Sequence, residues 1–80
     1  MYYLYIIKSL SVNNWRYIGI SDDVEKRLRQ HNSGKTRSTK AYVPFKIIYT
    51  ENFPDKSSAR GREIYLKKSY TAREEIFKNL

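Results

Sequence analysis

Two runs of β-branched, aromatic and leucine side chains dominate the start of this chain: "YYLYII" at 2–7 and "WRYIGI" at 15–20, separated by the polar "SLSVNN". Runs of this kind bounded by turn-formers read as strands, and the pair reads as a β-hairpin with a longer loop. Asn13 and Asn14 tolerate left-handed backbone angles and suit the turn. The rest of the chain must therefore pack against a hairpin. Side chains alternate across a strand, so Tyr3, Tyr5 and Ile7 share one face, with Leu4 and Ile6 opposite. On the second strand Trp15, Tyr17 and Gly19 share a face, opposite Ile18 and Ile20. The aliphatic sets are expected to enter the core and the tyrosines to show on the other face.

Downstream, Asp22 or Ser21 is expected to cap a first helix, with Glu25 completing a capping box. Gly34 is placed to end that helix, with Asn32 as the alternative stop. "KTRSTKAYVP" reads as a basic loop closed by Pro44, and "FKIIYTENF" as a third strand. "PDKSSAR" opens a second helix over about residues 56 to 69. Thr71, with Glu74 three positions on, is expected to start a short final helix. The order ββαβαα, without repeated βα alternation, indicates an α+β domain.

Eighty residues make one domain, 1–80, with a single modest core. There is no cysteine, which excludes a disulfide framework and thiolate metal ligation and suits a reducing, cytoplasmic setting. No apolar run approaches the roughly 20 residues of a membrane span. The opening "MYYLYIIKS" has neither the basic start nor the cleavage site of a signal peptide. A monomer is the working assumption. Sixteen Lys and Arg against eight Asp and Glu leave a net charge of +8, spread along the chain. Such a surface suits a polyanion, nucleic acid first. Membrane-surface binding is disfavoured, because no helix pairs a wide apolar face with a basic one.

A few residues stand out as candidates for chemistry. At about 100° per residue, Val24, Leu28 and His31 fall on one helical stripe with Arg27 at its edge. His31 thus lies on the core-facing side. Its bland reading is a histidine near a helix C-terminus, and that of Arg27 a surface arginine paired with Asp23. In the second helix Ala59, Leu66 and Tyr70 define the apolar stripe, Glu63 falls inside it, and Ile64 lies outside. A carboxylate on a packing face is costly unless a cation meets it. That cation is either an arginine, in a buried salt bridge, or a divalent metal such as Mg²⁺, which commonly takes one or two carboxylates with water and phosphate. Gly19 removes a side chain beside Tyr17, where a helix or a phosphate would come close.

Together these segments resemble the GIY-YIG nuclease superfamily, in particular its small stand-alone bacterial branch. "YLYIIKS" at 3–9 stands in place of the first motif, with Tyr3-Leu4-Tyr5 for Gly-Ile-Tyr, and "YIG" at 17–19 is a literal copy of the second. "DDVEKRLRQHNSGK" at 22–35 looks like the family's arginine-bearing helix, and "SSARGREIYLKK" at 57–68 like the helix with the metal-binding glutamate. The resemblance implies a three-stranded antiparallel sheet flanked by helices. It also implies a metal-dependent endonuclease acting on DNA, structured or damaged DNA included, with RNA still open and DNA repair a natural setting.

Carried over by position, the resemblance gives Glu63 one Mg²⁺ or Mn²⁺ ion and gives Arg27 the scissile phosphate. Tyr5 and Tyr17 would surround the attacking water, one of them as general base, and His31 would hold that tyrosine or the phosphate. Gly19 would keep the surface open. Hydrolysis of a phosphodiester needs an aligned nucleophile and compensation of charge on the non-bridging oxygens, which a guanidinium supplies without losing its proton. A tyrosine titrating near about 10 needs neighbouring cations to act as a base.

Some features depart from the family pattern. The first motif lacks its glycine. The asparagine found beyond the metal glutamate in several catalytic families has only Asn79 as a counterpart, and these residues hold no appended DNA-targeting domain. A second reading is therefore a non-catalytic nucleic-acid-binding module using Lys35, Arg37, Lys40, Lys67 and Lys68. A third, resting on charge alone, is a basic scaffold for an acidic protein.

Overall fold

The computed structural model describes residues 1–80. Strands β1 (Tyr2–Ser9), β2 (Arg16–Ser21) and β3 (Phe45–Phe53) combine with helices α1 (Val24–Asn32), α2 (Lys56–Lys68) and α3 (Tyr70–Lys78) in the order ββαβαα. The sheet is antiparallel throughout, in the order β2-β1-β3, so the first strand is the central one. The architecture is the expected α+β arrangement of a three-stranded sheet flanked by helices. The hairpin turn places Asn14 at φ 63°, the left-handed geometry that its sequence allows.

Both faces of the sheet are covered. On one, Leu4, Ile6 and Ile18 meet Leu66 of α2, with Ile76 and Phe77 of α3 packed beside them. Ile6 opposes Tyr49 while Ile7 opposes Ile47, so Ile48 is the extra residue of a bulge. On the other face Tyr5, Ile7 and Phe45 form a second cluster under Val24 and Leu28 of α1. This corrects the expectation that the tyrosine face is displayed. Tyr5 is only 1% exposed. The aromatic side of the hairpin carries a second core because α1 folds over it.

The helix termini differ by a residue or two from the sequence reading. Asp23, not Asp22 or Ser21, caps α1 by accepting from the Lys26 N–H, so Glu25 sits within the first turn and no capping box forms. Asp55 caps α2 through the Ser58 N–H. Ser69 ends α2 and caps α3 through the Ala72 N–H, so α3 begins at Tyr70 and Thr71 lies inside it. Tyr70 consequently leaves the α2 stripe and is largely exposed, whereas Ala59 and Leu66 are fully buried and Ile64 points outward. Past α1, Gly34 takes φ 77°, as a helix-terminating glycine does.

Two contacts fix the loop that follows α1. The Asn32 side chain accepts from the Phe45 N–H at 2.7 Å and donates to the Phe45 carbonyl at 3.2 Å, clipping the end of α1 to the start of β3. A 3₁₀ turn at Lys40–Tyr42 carries Tyr42 onto Trp15, their rings stacked 3.8 Å apart between centroids. Buried Ser9 donates to the Tyr42 carbonyl at 2.6 Å and ties this turn to the hairpin.

Candidate functional site

Tyr5 and Gly19 are direct cross-strand partners on β1 and β2. A Cβ built on Gly19 would stand 2.5 Å from the Tyr5 hydroxyl oxygen and 2.6 Å from Cζ. The glycine is therefore there for the Tyr5 ring, which lies flat across it. This corrects the expectation that Gly19 keeps the surface open for phosphate. From that position the Tyr5 hydroxyl meets His31 Nε2 at 2.9 Å, and His31 Nδ1 meets Thr39 Oγ1 at 2.9 Å. Tyr5, His31 and Thr39 are all essentially inaccessible to solvent. The expectation that His31 lies on the core-facing stripe of α1 holds.

Burial, reinforced by the nearby Arg27 guanidinium, lowers the His31 pKa from 6.5 to about 4. The ring is therefore neutral at pH 7, with one nitrogen donating and the other accepting. Its two contacts use both. Burial also raises the Tyr5 phenol above its ordinary range; Arg27 draws it part of the way back, while Tyr17 and Glu63 push it further up. Tyr5 thus keeps its proton at neutral pH.

Around this buried stack lies a more open ring of side chains. Tyr17 of β2 packs edge-on against His31, centroids 5.2 Å apart, and remains half-buried. The Lys67 ammonium lies 5.6 Å from the Tyr17 ring centroid and bonds Glu63 Oε2 at 3.1 Å. Of the two cations considered for Glu63, an arginine or a divalent metal, the arginine's place is taken by this lysine one turn along the same helix. The Glu63 side chain keeps 18% of its exposure, and its second oxygen has no hydrogen-bond partner within the chain. Arg27, half-buried, donates to Gln30 Oε1 at 2.9 Å and not to Asp23, leaving its guanidinium beside Tyr5.

The fold thus brings Tyr5, Tyr17, Arg27, His31 and Glu63 into one neighbourhood, drawn from four elements. The neighbourhood coincides with none of the protein's four surface hollows. Surface hollows are lined by other residues, such as Tyr49, Arg62 and Ile76, or Tyr3, Asp23 and Ile47, because Tyr5 and His31 fill the space between sheet and α1. No three His, Asp or Glu side chains gather into a cage. A single carboxylate with one free oxygen fits a hard divalent ion that draws its other ligands from water and phosphate.

Lys35, Arg37 and Lys40 are exposed on the loop after α1, and Lys68 is exposed on α2. Asn79 caps α3 by donating to the Glu75 carbonyl, outside the cluster. Sequence reasoning missed Thr39, a lone threonine in a polar loop with no pattern to mark it. It named Lys67 only as a phosphate contact; its i,i+4 spacing from Glu63 was the available signal.

Comparison with known proteins bears on this geometry. The family described as the GIY-YIG catalytic domain matches residues 1–76. The chain is 34% identical over 77 residues to the UPF0213 protein YazA of Bacillus subtilis, covering 95% of this chain and 76% of that protein. It is 38% identical over 69 residues to the UPF0213 protein CPE1444 of Clostridium perfringens, covering 85% and 72%. The solution NMR structure of the UPF0213 protein BH0048 from Bacillus halodurans superposes with a TM-score of 0.58 at 30% identity, over 98% of this chain and 84% of that one. With its "YIG" strand, its arginine- and glutamate-bearing helices and this match along nearly its whole length, the chain belongs to the GIY-YIG family.

Proposed function

We propose that this protein is a divalent-metal-dependent endonuclease that hydrolyses phosphodiester bonds in DNA. The observation that carries the proposal is the convergence of Tyr17, Arg27 and Glu63 around the Tyr5–His31 pair. Glu63 would hold one Mg²⁺ or Mn²⁺ through its free oxygen, with water and substrate phosphate completing the set. The ion, when bound, supplies Lewis-acid stabilisation of the phosphoryl oxygens.

The chain's own side chains divide the remaining work. Tyr17, the more accessible of the two tyrosines, orients the attacking water and, as its phenolate, takes the proton and becomes the phenol as the water oxygen bonds to phosphorus. The bond to the leaving sugar oxygen breaks and that oxygen takes a proton from solvent water. The Lys67 ammonium beside the Tyr17 ring is the counter-charge of that phenolate. Arg27 compensates charge on the non-bridging oxygens. Tyr5, buried and protonated, is a positioning residue: through His31 and Thr39 it holds the surface against which Tyr17 packs.

A second reading draws on the Lys67–Glu63 pair, which already gives the carboxylate a cation. On that reading the chain is a nucleic-acid-binding module contacting phosphates through Lys35, Arg37, Lys40 and Lys68. One experiment separates the two. Purified protein is incubated with Mg²⁺ or Mn²⁺ and supercoiled plasmid or branched DNA, beside Glu63→Ala and Arg27→Ala. The nuclease reading expects metal-dependent cutting that falls by roughly 10²-fold or more in either variant, with DNA binding retained. Binding without cutting in the unmodified protein, or equal cutting by Glu63→Ala, overturns it in favour of the module.

A further inference from the structure

One arrangement in the sheet is used by none of this. Lys8 of β1 stands directly opposite Arg16 on β2 and Lys46 on β3. Three cations therefore occupy one row across all three strands. Like charges placed directly opposite in a sheet destabilise it, so such a row ordinarily calls for interleaved carboxylates. None of the three is ion-paired: the ion pairs of the chain are Arg62–Glu51 and Lys67–Glu63, at other places in the fold. Glu74 and Glu75 share a hollow with Arg16 but pair with none of the three.

The row is also shaped. Lys8, Arg16 and Lys46 line one surface hollow together with Ile48, Phe77 and Leu80. The Arg16 guanidinium lies over the Phe77 ring, 4.2 Å from its centroid, and its buried Nε has no hydrogen-bond partner. Lys78 borders the adjoining hollow on the same side of Arg16. Arg16 and Tyr17 are neighbours on β2 and point to opposite faces, so the row lies behind the candidate site, across the sheet.

We infer that Lys8, Arg16 and Lys46 form a second phosphate-binding surface that engages the backbone of nucleic acid on the reverse face of the sheet. This rests on the reading that the chain binds nucleic acid, and adds contact from both sides of β2. Bound phosphates would supply the counter-charge that the protein itself does not.

The test is binding of a fluorescently labelled DNA duplex over a KCl series, in the Glu63→Ala background so that no cutting intervenes. The variants are Lys8→Gln/Lys46→Gln and, as a single change at the more exposed position, Lys46→Glu. The double variant is expected to weaken binding about tenfold or more and to flatten the slope of log K against log salt by about two, close to one per lost phosphate contact. Thermal unfolding of the double variant is expected at an unchanged or higher midpoint, because like-charge repulsion is relieved. Affinity and salt slope unchanged in both variants would overturn the inference and leave the nuclease reading standing. A protein that binds DNA with this slope change but never cuts it would do the reverse.

Discussion

The geometry around Gly19 makes a sharp demand at the level of single residues. Gly19→Ala drives a methyl group into the buried Tyr5 ring, which has no free space to retreat into. Destabilisation of about 1–3 kcal/mol is expected by urea titration, with loss of the Tyr5–His31 contact visible as a change in the His31 imidazole NMR signals. His31 makes a second demand, through pH. Its pKa is lowered in the folded chain to about 4 from 6.5. Between those values the unfolded chain binds a proton that the folded chain refuses, so stability rises with pH across that window. Acidification from neutrality to below pH 4 therefore removes on the order of 3 kcal/mol through this one residue. Urea midpoints measured between pH 7 and 4 should fall accordingly, and His31→Gln should lose most of the fall. A His31→Gln profile parallel to that of the unmodified chain would contradict the assignment.

Among the elements, the strands and helices were legible because each carries its own periodicity: "FKIIYTENF" became β3 at the expected residues, and the Val24–Leu28–His31 stripe packs as its spacing indicates. What the sequence could not reveal is which of two plausible partners a side chain takes. Ser69 and Thr71 both suit a helix cap, and the close succession of α2 and α3 selects Ser69. The tyrosine face of the hairpin looked solvent-facing because nothing in "YYLYII" records that α1 will cover it. The motifs single out Tyr5, Tyr17, Arg27, His31 and Glu63 as candidates, whereas the Glu63–Lys67 pairing and the Thr39 contact emerge only from packing. Asn32 shows the same limit. It was read as a possible helix stop, yet its side chain also joins two elements through the backbone of Phe45. Asn32→Ala is expected to cost about 1–2 kcal/mol, by leaving both Phe45 groups without that partner. Hydrogen exchange should report it as faster exchange of the Phe45 amide; protection equal to the unmodified chain would show the clip to be dispensable.

For the molecule as a whole, the two proposals place two functions on the two faces of the sheet. One face carries the aromatic stack with Tyr5, Tyr17 and, from α1, Arg27 and His31; the other carries the main aliphatic core, the helix α2 that bears Glu63, and the row of cations. On both proposals the net charge of +8 would draw a polyanion toward either side. The strand order β2-β1-β3 has a further consequence, for synthesis. The middle strand is the first to leave the ribosome, yet one of its edges has no neighbour until Phe45–Phe53 has been made. Until then the nascent chain can form only a two-stranded hairpin, which is marginal in water by itself. Its Leu4 and Ile6 also await Leu66. Folding of this domain is therefore settled only once its second half has been made, and the strand whose second edge waits for a partner is the one that ends up most deeply buried.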